Sequence, residues 1–222
     1  MGVFYRHFVF DLDGTLIDSR QDLADAANAM LATYDAPALP MAAVVAMVGE
    51  GARTLVSRVL AAAGRDGDVD VDEALERFLT AYDVRLVATT APYDGVRDTL
   101  VTLHAAARVS VLTNKPQRAT DRVLDELGLS RYIHAAIGGD TALGRKPGPA
   151  GLHALIADSG VTPADTVMVG DSWVDVATAR AAGVDACLVS YGFGYAGADA
   201  DHRTQARCTI ASFDELRRFV RC

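Results

Sequence analysis

Lysine is nearly absent from this chain of 222 residues: 21 residues are basic, yet only Lys115 and Lys146 are lysines. Cysteine is scarce as well. Cys187, Cys208 and Cys222 make an odd set with no Cys-x-x-Cys spacing, which argues against a thiolate metal cluster and for reduced thiols. No uninterrupted apolar run approaches the roughly 18 residues of a membrane span. Asp11 and Asp13 break the first apolar run, so it lacks the form of a secretion signal. Long basic runs are missing too and the net charge is −8, whereas neutralising nucleic-acid phosphates takes a basic face. These absences predict a cytoplasmic protein with no nucleic-acid or membrane partner, and they leave the oligomeric state unread. An acidic chain of this kind can handle an anion only by concentrating positive charge locally.

What is present is ordinary in bulk and specific in pattern. Half of the residues are hydrophobic and 23% are charged. A chain of this length buries roughly 70% of its unfolded surface and needs no disulfide or structural metal to hold together. Residues 7–12 (His-Phe-Val-Phe-Asp-Leu) form a β-branched and aromatic run before Gly14-Thr15, which reads as a buried strand. Similar runs occupy 108–113, 135–138, 166–170 and 186–190, with helical periodicity at 96–107, 117–127, 149–159 and 174–182 between them. The alternation predicts an α/β fold, a Rossmann-like parallel sheet with helices on both faces. Gly128, Gly160 and Gly183 stand where helix C-caps are expected.

The alternation breaks once. From about residue 19 to 90 only helical patterns occur: Leu23, Ala27, Met30 and Leu31 share one face, 52–63 follows, and 72–87 carries Leu75, Phe78, Leu79, Tyr82 and Leu86 at 3–4 spacing. The expected organisation is an α/β core of residues 1–15 and 92–222 with an all-helical cap of residues 16–91. The alternative is that these helices pack on the sheet as part of one domain.

Polar residues gather at the C-terminal ends of the predicted strands, where open α/β sheets place their ligand crevice. Asp11-x-Asp13-Gly14-Thr15 follows the first strand; alone it is also compatible with a solvated turn or a calcium loop. In Thr113-Asn114-Lys115-Pro116 a hydroxyl and the following N–H groups can cradle an oxyanion, or Asn114 can simply cap a helix. Gly144-Arg145-Lys146-Pro147 presents one of the two lysines, a compact point charge suited to sit between a carboxylate and a phosphoryl group. Gly170-Asp171-Ser172-Trp173-Val174-Asp175 offers two carboxylates four residues apart, either of which can also serve a helix cap. Together they collect Asp11, Asp13, Asp171 and Asp175 with Lys146 as the cation. A carboxylate pair at 4 Å repels by about 4 kcal/mol at an effective dielectric of 20. One lysine does not offset four carboxylates, so a divalent cation with oxygen ligands, Mg²⁺ by preference, is expected.

These four segments, in this order and spacing, resemble the haloacid dehalogenase superfamily with a helical cap inserted after the first motif, and most closely its phosphoglycolate phosphatase type. The resemblance rests on Phe10-Asp11-Leu12-Asp13-Gly14-Thr15, Thr113-Asn114-Lys115-Pro116, Gly138-Gly139-Asp140 before Arg145-Lys146-Pro147, and Val169-Gly170-Asp171-Ser172. It implies a phosphatase acting on a small phosphorylated metabolite. In that reading Asp11 is the nucleophile that becomes an aspartyl-phosphate, and Asp13 is the general acid and base. Thr113 and the Asn114 backbone hold phosphoryl oxygens, and Lys146 balances charge. Mg²⁺ is bound by Asp11, Asp171 and the Asp13 main-chain carbonyl, with Asp175 ligating directly or through water.

Sister activities divide on single residues. Dehalogenases of the superfamily lack the second aspartate of the first motif, which is Asp13 here. Phosphonate-cleaving members use a cap lysine, and residues 16–91 contain none. A sugar phosphomutase shares all four motifs and stays open, as does a non-catalytic phosphate-binding member. Substrate choice is expected in the cap segment Val48-Gly49-Glu50-Gly51-Ala52-Arg53, with Arg53 clamping a carboxylate or lying solvated. Glu50 in that segment disfavours an anionic substrate. Trp173 either walls the crevice or packs at the sheet edge.

Overall fold

The structure, a computed structural model, describes residues 4–220; Cys222 lies outside them. The described chain runs β1 (His7–Phe10), β2 (Ile17–Asp18), α1 (Arg20–Ala32), α2 (Met41–Val45), α3 (Ala52–Ala62), α4 (Val71–Arg85), β3 (Ala91–Pro92), α5 (Val96–Ala106), β4 (Arg108–Leu112) and α6 (Gln117–Glu126). It continues through β5 (Ala135–Ile137), α7 (Ala150–Ser159), β6 (Thr166–Gly170), α8 (Trp173–Ala182), β7 (Asp185–Val189), α9 (Ala200–Gln205) and β8 (Cys208–Ile210).

Six strands form one parallel sheet in the order β5-β4-β1-β6-β7-β8. Successive side chains of a strand point to opposite faces, and the packing follows that rule. Phe8, Phe10, Val109, Val111, Val167 and Val169 join one apolar cluster, while Val9, Leu112, Met168 and Leu188 join the other. Helices α5 and α6 cover the first face through Leu100, Leu103, Val123 and Leu124. Helices α7 and α8 cover the second through Leu152, Leu155, Val176 and Ala179. The fold is thus the α/β sheet covered on both faces that the alternation predicts. Gly160 and Gly183 end α7 and α8 in the left-handed conformation.

The helical stretch lies between β2 and β3, which pair antiparallel through Ile17↔Pro92 and Asp18↔Ala91. Helix α1 packs on α2 and α4, and α3 packs on α4. At the base of α1 the buried carboxylate of Asp22 accepts hydrogen bonds from the Thr90 hydroxyl (2.6 Å) and N–H (2.8 Å) and from the Thr89 hydroxyl (2.8 Å). Burial alone raises the Asp22 pKa, but these hydrogen bonds outweigh it and hold the group below the ordinary carboxylate value. Apolar residues of the insert, among them Leu23, Met30 and Phe78, belong to the same cluster as Phe8 and Phe10.

The order of strands fixes where chemistry can sit. From β1 the chain builds outward to β4 and β5 on one side, then returns to β6, β7 and β8 on the other. The crevice of such a sheet opens at the carboxyl ends of the strands that flank this reversal, here β4, β1 and β6. Phe10 pairs with Val111 and with Val169, so Asp11, Thr113 and Asp171 leave adjacent strand ends. Cys187 and Cys208 are register partners on β7 and β8 with sulfurs 3.0 Å apart, and both are free thiols. Among the described residues no helix is long and apolar enough to cross a membrane.

Candidate active site

Asp11 follows β1 and remains bonded to the sheet, its N–H donating to the Val169 carbonyl at 2.9 Å. Its Oδ1 accepts the Leu12 N–H at 2.7 Å and faces the Lys146 ammonium at 2.9 Å. The same ammonium lies 2.6 Å from Asp175 Oδ1. Lys146 is buried, and burial by itself pushes an ammonium pKa down; Asp11 and Asp175 outweigh it and hold Lys146 above its ordinary value. Asp11 is pushed up to about 6, by burial first and against the pull of Lys146.

Asp175 is spent on architecture as well as charge. Its Oδ2 accepts the Ser172 N–H at 3.0 Å and hydroxyl at 2.7 Å, closing a capping box at the start of α8. Asp171 takes the Gly194 N–H at 2.7 Å. Burial, then the charges of Asp11 and Asp175, drive the Asp171 carboxyl well above the usual range. Two glycines make room for these acids. A Cβ on Gly14, whose φ is +87°, would stand 2.0 Å from Asp171 Oδ2, and one on Gly170 would stand 2.1 Å from Asp175 Cγ.

Asp13 faces a cation other than the one the sequence reading supposes. Its carboxylate faces a second ammonium, that of Lys115, at 3.0 and 3.1 Å, and Oδ1 accepts the Ser19 hydroxyl at 2.6 Å. Lys115 also donates to the Tyr82 hydroxyl of α4 at 2.5 Å. Burial would lower this ammonium pKa, and Asp13 and Tyr82 raise it above its ordinary value. The expectation of one cation for four carboxylates is therefore revised: Lys146 serves Asp11 and Asp175, and Lys115 serves Asp13. Lys115, Tyr82 and Ser19 are the site residues that sequence reasoning missed. The scarcity of lysine marks Lys115, whereas Tyr82 reads as one more apolar residue in a helical repeat.

Thr113 is buried at the end of β4, where its Oγ1 accepts the Lys115 N–H at 3.3 Å. The Asn114 side chain donates to the carbonyls of Lys146 (3.1 Å) and Gly49 (2.9 Å) and accepts the Lys146 N–H at 2.9 Å. Asp140 caps α6 by accepting the Gln117 N–H at 2.7 Å. Asp11, Asp13, Thr113, Asn114, Lys115 and Asp171 line one cleft, with residues of the insert opposite. Arg53 and Glu50 are not brought to it. Arg53 pairs with Asp72 and Glu50 with Arg58, so each charge is satisfied on the insert surface. Trp173 packs against the His202 ring, centroids 5.8 Å apart, and is not a wall of the cleft.

Asp11, Asp171 and Asp175 are buried with carboxylate oxygens within 4.8 Å of one another. Two ammonium groups face four carboxylates, which leaves the site an excess of negative charge. A buried set of hard oxygen donors with uncompensated charge fits a small divalent cation.

The sheet, the strand-end acids and the lysine between them define a parallel α/β protein with a charged crevice at its strand ends. Residues 8–189 match the haloacid dehalogenase-like hydrolase family, and the chain belongs to it. It is 45% identical over 191 residues to a phosphoglycolate phosphatase of Rhodospirillum rubrum, covering 83% of this chain and 79% of that one. It is 41% identical over 198 residues to a phosphoglycolate phosphatase of Pseudomonas putida, covering 87% and 72%. Among solved structures, a predicted phosphoglycolate phosphatase from Haemophilus somnus superposes with a TM-score of 0.88 at 27% identity, over 96% of each chain. The protein is accordingly a phosphoric monoester hydrolase.

Proposed function

We propose that the protein is a Mg²⁺-dependent phosphatase that removes the phosphoryl group of phosphoglycolate, or a close relative of it, through an aspartyl-phosphate on Asp11. The observation that carries this reading is the Lys146 ammonium seated 2.9 Å from Asp11 Oδ1 and 2.6 Å from Asp175 Oδ1. A carboxylate that attacks phosphorus must approach other negative oxygens, and a fixed ammonium beside it offsets that repulsion. Lys146 and Leu12 both engage Oδ1, which makes Oδ2 the oxygen offered to phosphorus.

Thr113 and the backbone N–H of Asn114 would hold the phosphoryl oxygens at the end of β4. Asp13 gives a proton to the leaving alkoxide and later takes one from the water that hydrolyses the acyl phosphate. Mg²⁺ would be held by Asp11, Asp171 and the Asp13 carbonyl, and would neutralise charge on the phosphoryl group. Asp175, whose oxygens also engage Lys146 and Ser172, would complete the set directly or through water. Residues 16–91 serve as the cap that closes over the cleft and excludes water. The phosphoglycolate assignment is supported by the names of the relatives and by the pairing of Glu50 with Arg58, which removes an unpaired carboxylate from the substrate's path.

The test is phosphate release from phosphoglycolate and from p-nitrophenyl phosphate, with Mg²⁺ and with chelator, by the wild type and Asp11→Asn. Mg²⁺-dependent release that Asp11→Asn abolishes while remaining folded is the expected result. Release by Asp11→Asn at the wild-type rate sinks the nucleophile assignment, and accumulation of an isomer from a sugar phosphate sinks the hydrolase assignment in favour of a mutase.

A further inference from the structure

The cleft contains a cation that the hydrolytic chemistry leaves unused. Lys115 is buried at the seam between sheet and insert, with its ammonium on Asp13 from the core and on the Tyr82 hydroxyl from α4. The neighbouring wall contributed by the insert is apolar: Leu23, Leu55, Phe78 and Leu79. An ammonium in such surroundings requires a counter-charge in contact with it. In this structure the counter-charge is the carboxylate of Asp13, and the Ser19 hydroxyl donates to the same carboxylate. A general acid held by two partners in this way is not yet free to serve a leaving oxygen.

We propose that Lys115 and Tyr82 form the specificity site for a carboxylate on the leaving group, and that this carboxylate replaces Asp13 on the Lys115 ammonium when substrate binds. The exchange is one carboxylate for another, so the buried ammonium is never left uncompensated. It also releases Asp13 for the leaving oxygen only when the correct substrate has arrived. The donor set fits a planar anion with two oxygens. The ammonium addresses one oxygen, and the phenol, whose oxygen accepts from Lys115, has its proton to give to the other. Burial pushes the Tyr82 phenol up to about 12, so it stays a donor at neutral pH. Because Lys115 touches Asp13 directly, the recognised anion must lie within a bond or two of the leaving oxygen. A carboxylate one methylene from the ester oxygen meets that condition, and the remote charge of a sugar phosphate does not.

The inference rests on the phosphatase reading, and the experiment separates the two. With Mg²⁺-loaded protein, kcat/KM is measured for phosphoglycolate and for isobutyl phosphate, whose leaving group has a similar shape without the charge. The wild type is expected to favour phosphoglycolate by roughly 100-fold or more, since hydrogen bonds to a charged group are each worth roughly tenfold or more. In Lys115→Met that ratio collapses to roughly threefold or less, Lys115→Arg recovers part of it, and Tyr82→Phe lowers it roughly three- to tenfold. A ratio unchanged in folded Lys115→Met, checked by circular dichroism, overturns the proposal, as does a wild type with no preference. Should no variant release phosphate, the phosphatase reading fails, and calorimetry on the Asp11→Asn protein still decides the subsite. Phosphoglycolate affinity roughly tenfold or more weaker after adding Lys115→Met supports it; equal affinity refutes it.

Discussion

Asn114 and Lys146 hold each other by a reciprocal pair of hydrogen bonds: the Asn114 Oδ1 accepts the Lys146 N–H at 2.9 Å while its Nδ2 donates to the Lys146 carbonyl at 3.1 Å. The lysine is thus presented by a backbone that another strand end grips, and the same Nδ2 reaches Gly49 of the insert at 2.9 Å. One buried amide registers the β4 end, the lysine loop and the insert together.

Asn114→Ala leaves the Lys146 backbone N–H and carbonyl without that partner. The expected loss is about 1–3 kcal/mol of stability for the orphaned buried groups. It is accompanied by a drop in kcat of roughly 10- to 100-fold from a mispositioned ammonium. Denaturant midpoints and steady-state rates measure the two separately. An unaltered kcat in a destabilised variant would show that Lys146 is aligned without Asn114.

Removing one acid from the buried trio should change stability in opposite directions with and without metal. Asp171→Asn deletes a carboxyl whose charged form is penalised by burial and by Asp11 and Asp175, so the metal-free variant is expected to match or exceed the metal-free wild type in Tm. The wild type gains on adding Mg²⁺, by about 2.7 kcal/mol at a hundredfold excess over Kd, and the variant does not. Thermal melts in chelator and in Mg²⁺ test both halves.

His7 contributes a pH dependence far from the acids. Its ring is buried beside Ser110 Oγ at 3.0 Å, and burial, then the charge of Arg108, lowers it to about 4. The folded state therefore holds the neutral ring, whereas the unfolded chain takes up a proton below its ordinary value of about 6.5. Stability from this group is fully present above that value and is lost as pH falls toward 4, by about 3 kcal/mol in all. His7→Gln should flatten urea midpoints between pH 6.5 and 4 relative to wild type; parallel curves would contradict the assignment.

Asp22→Ala tests the anchor of the insert. Asp22 accepts the N–H and hydroxyl groups of both Thr89 and Thr90, so its loss strands the donors of the buried Thr90 where the chain returns to the core. A loss of about 2–3 kcal/mol is expected from calorimetry, more than a single surface hydrogen bond supplies. A variant that melts with the wild type would show that β2 and β3 hold the insert unaided.

The legible part of the fold is the part with dense local signal. Strand β1 is four fully buried residues, and its pattern survives in the sequence as aromatic and β-branched side chains. The helix expected at 149–159 is Ala150–Ser159 because its Gly160 cap stops it unambiguously. Strand β8, with three residues of mixed burial, and the two-residue strands β2 and β3 carry too little periodicity to be seen. Their existence depends on neighbours. The acids at strand ends were legible because each closes an apolar run, and Lys146 because lysine is rare. The Lys115 contacts were not, since they join a strand end to Tyr82, 33 residues away, and to Asp13, 102 residues away, separations no local pattern encodes. Arg53 was illegible for the same reason in reverse: an arginine just after Gly51 resembles a clamp until Asp72 of the following helix is seen beside it.

The place of β1 in the sheet also bears on synthesis. In the finished sheet β1 lies between β4 and β6, both of which follow it in the chain. Asp11 accordingly waits for Lys146 before its ion pair can form, and then for Asp171 and Asp175. A nascent chain that ends before Asp175 cannot assemble the acidic trio, and one that ends before β6 leaves an edge of β1 unpaired.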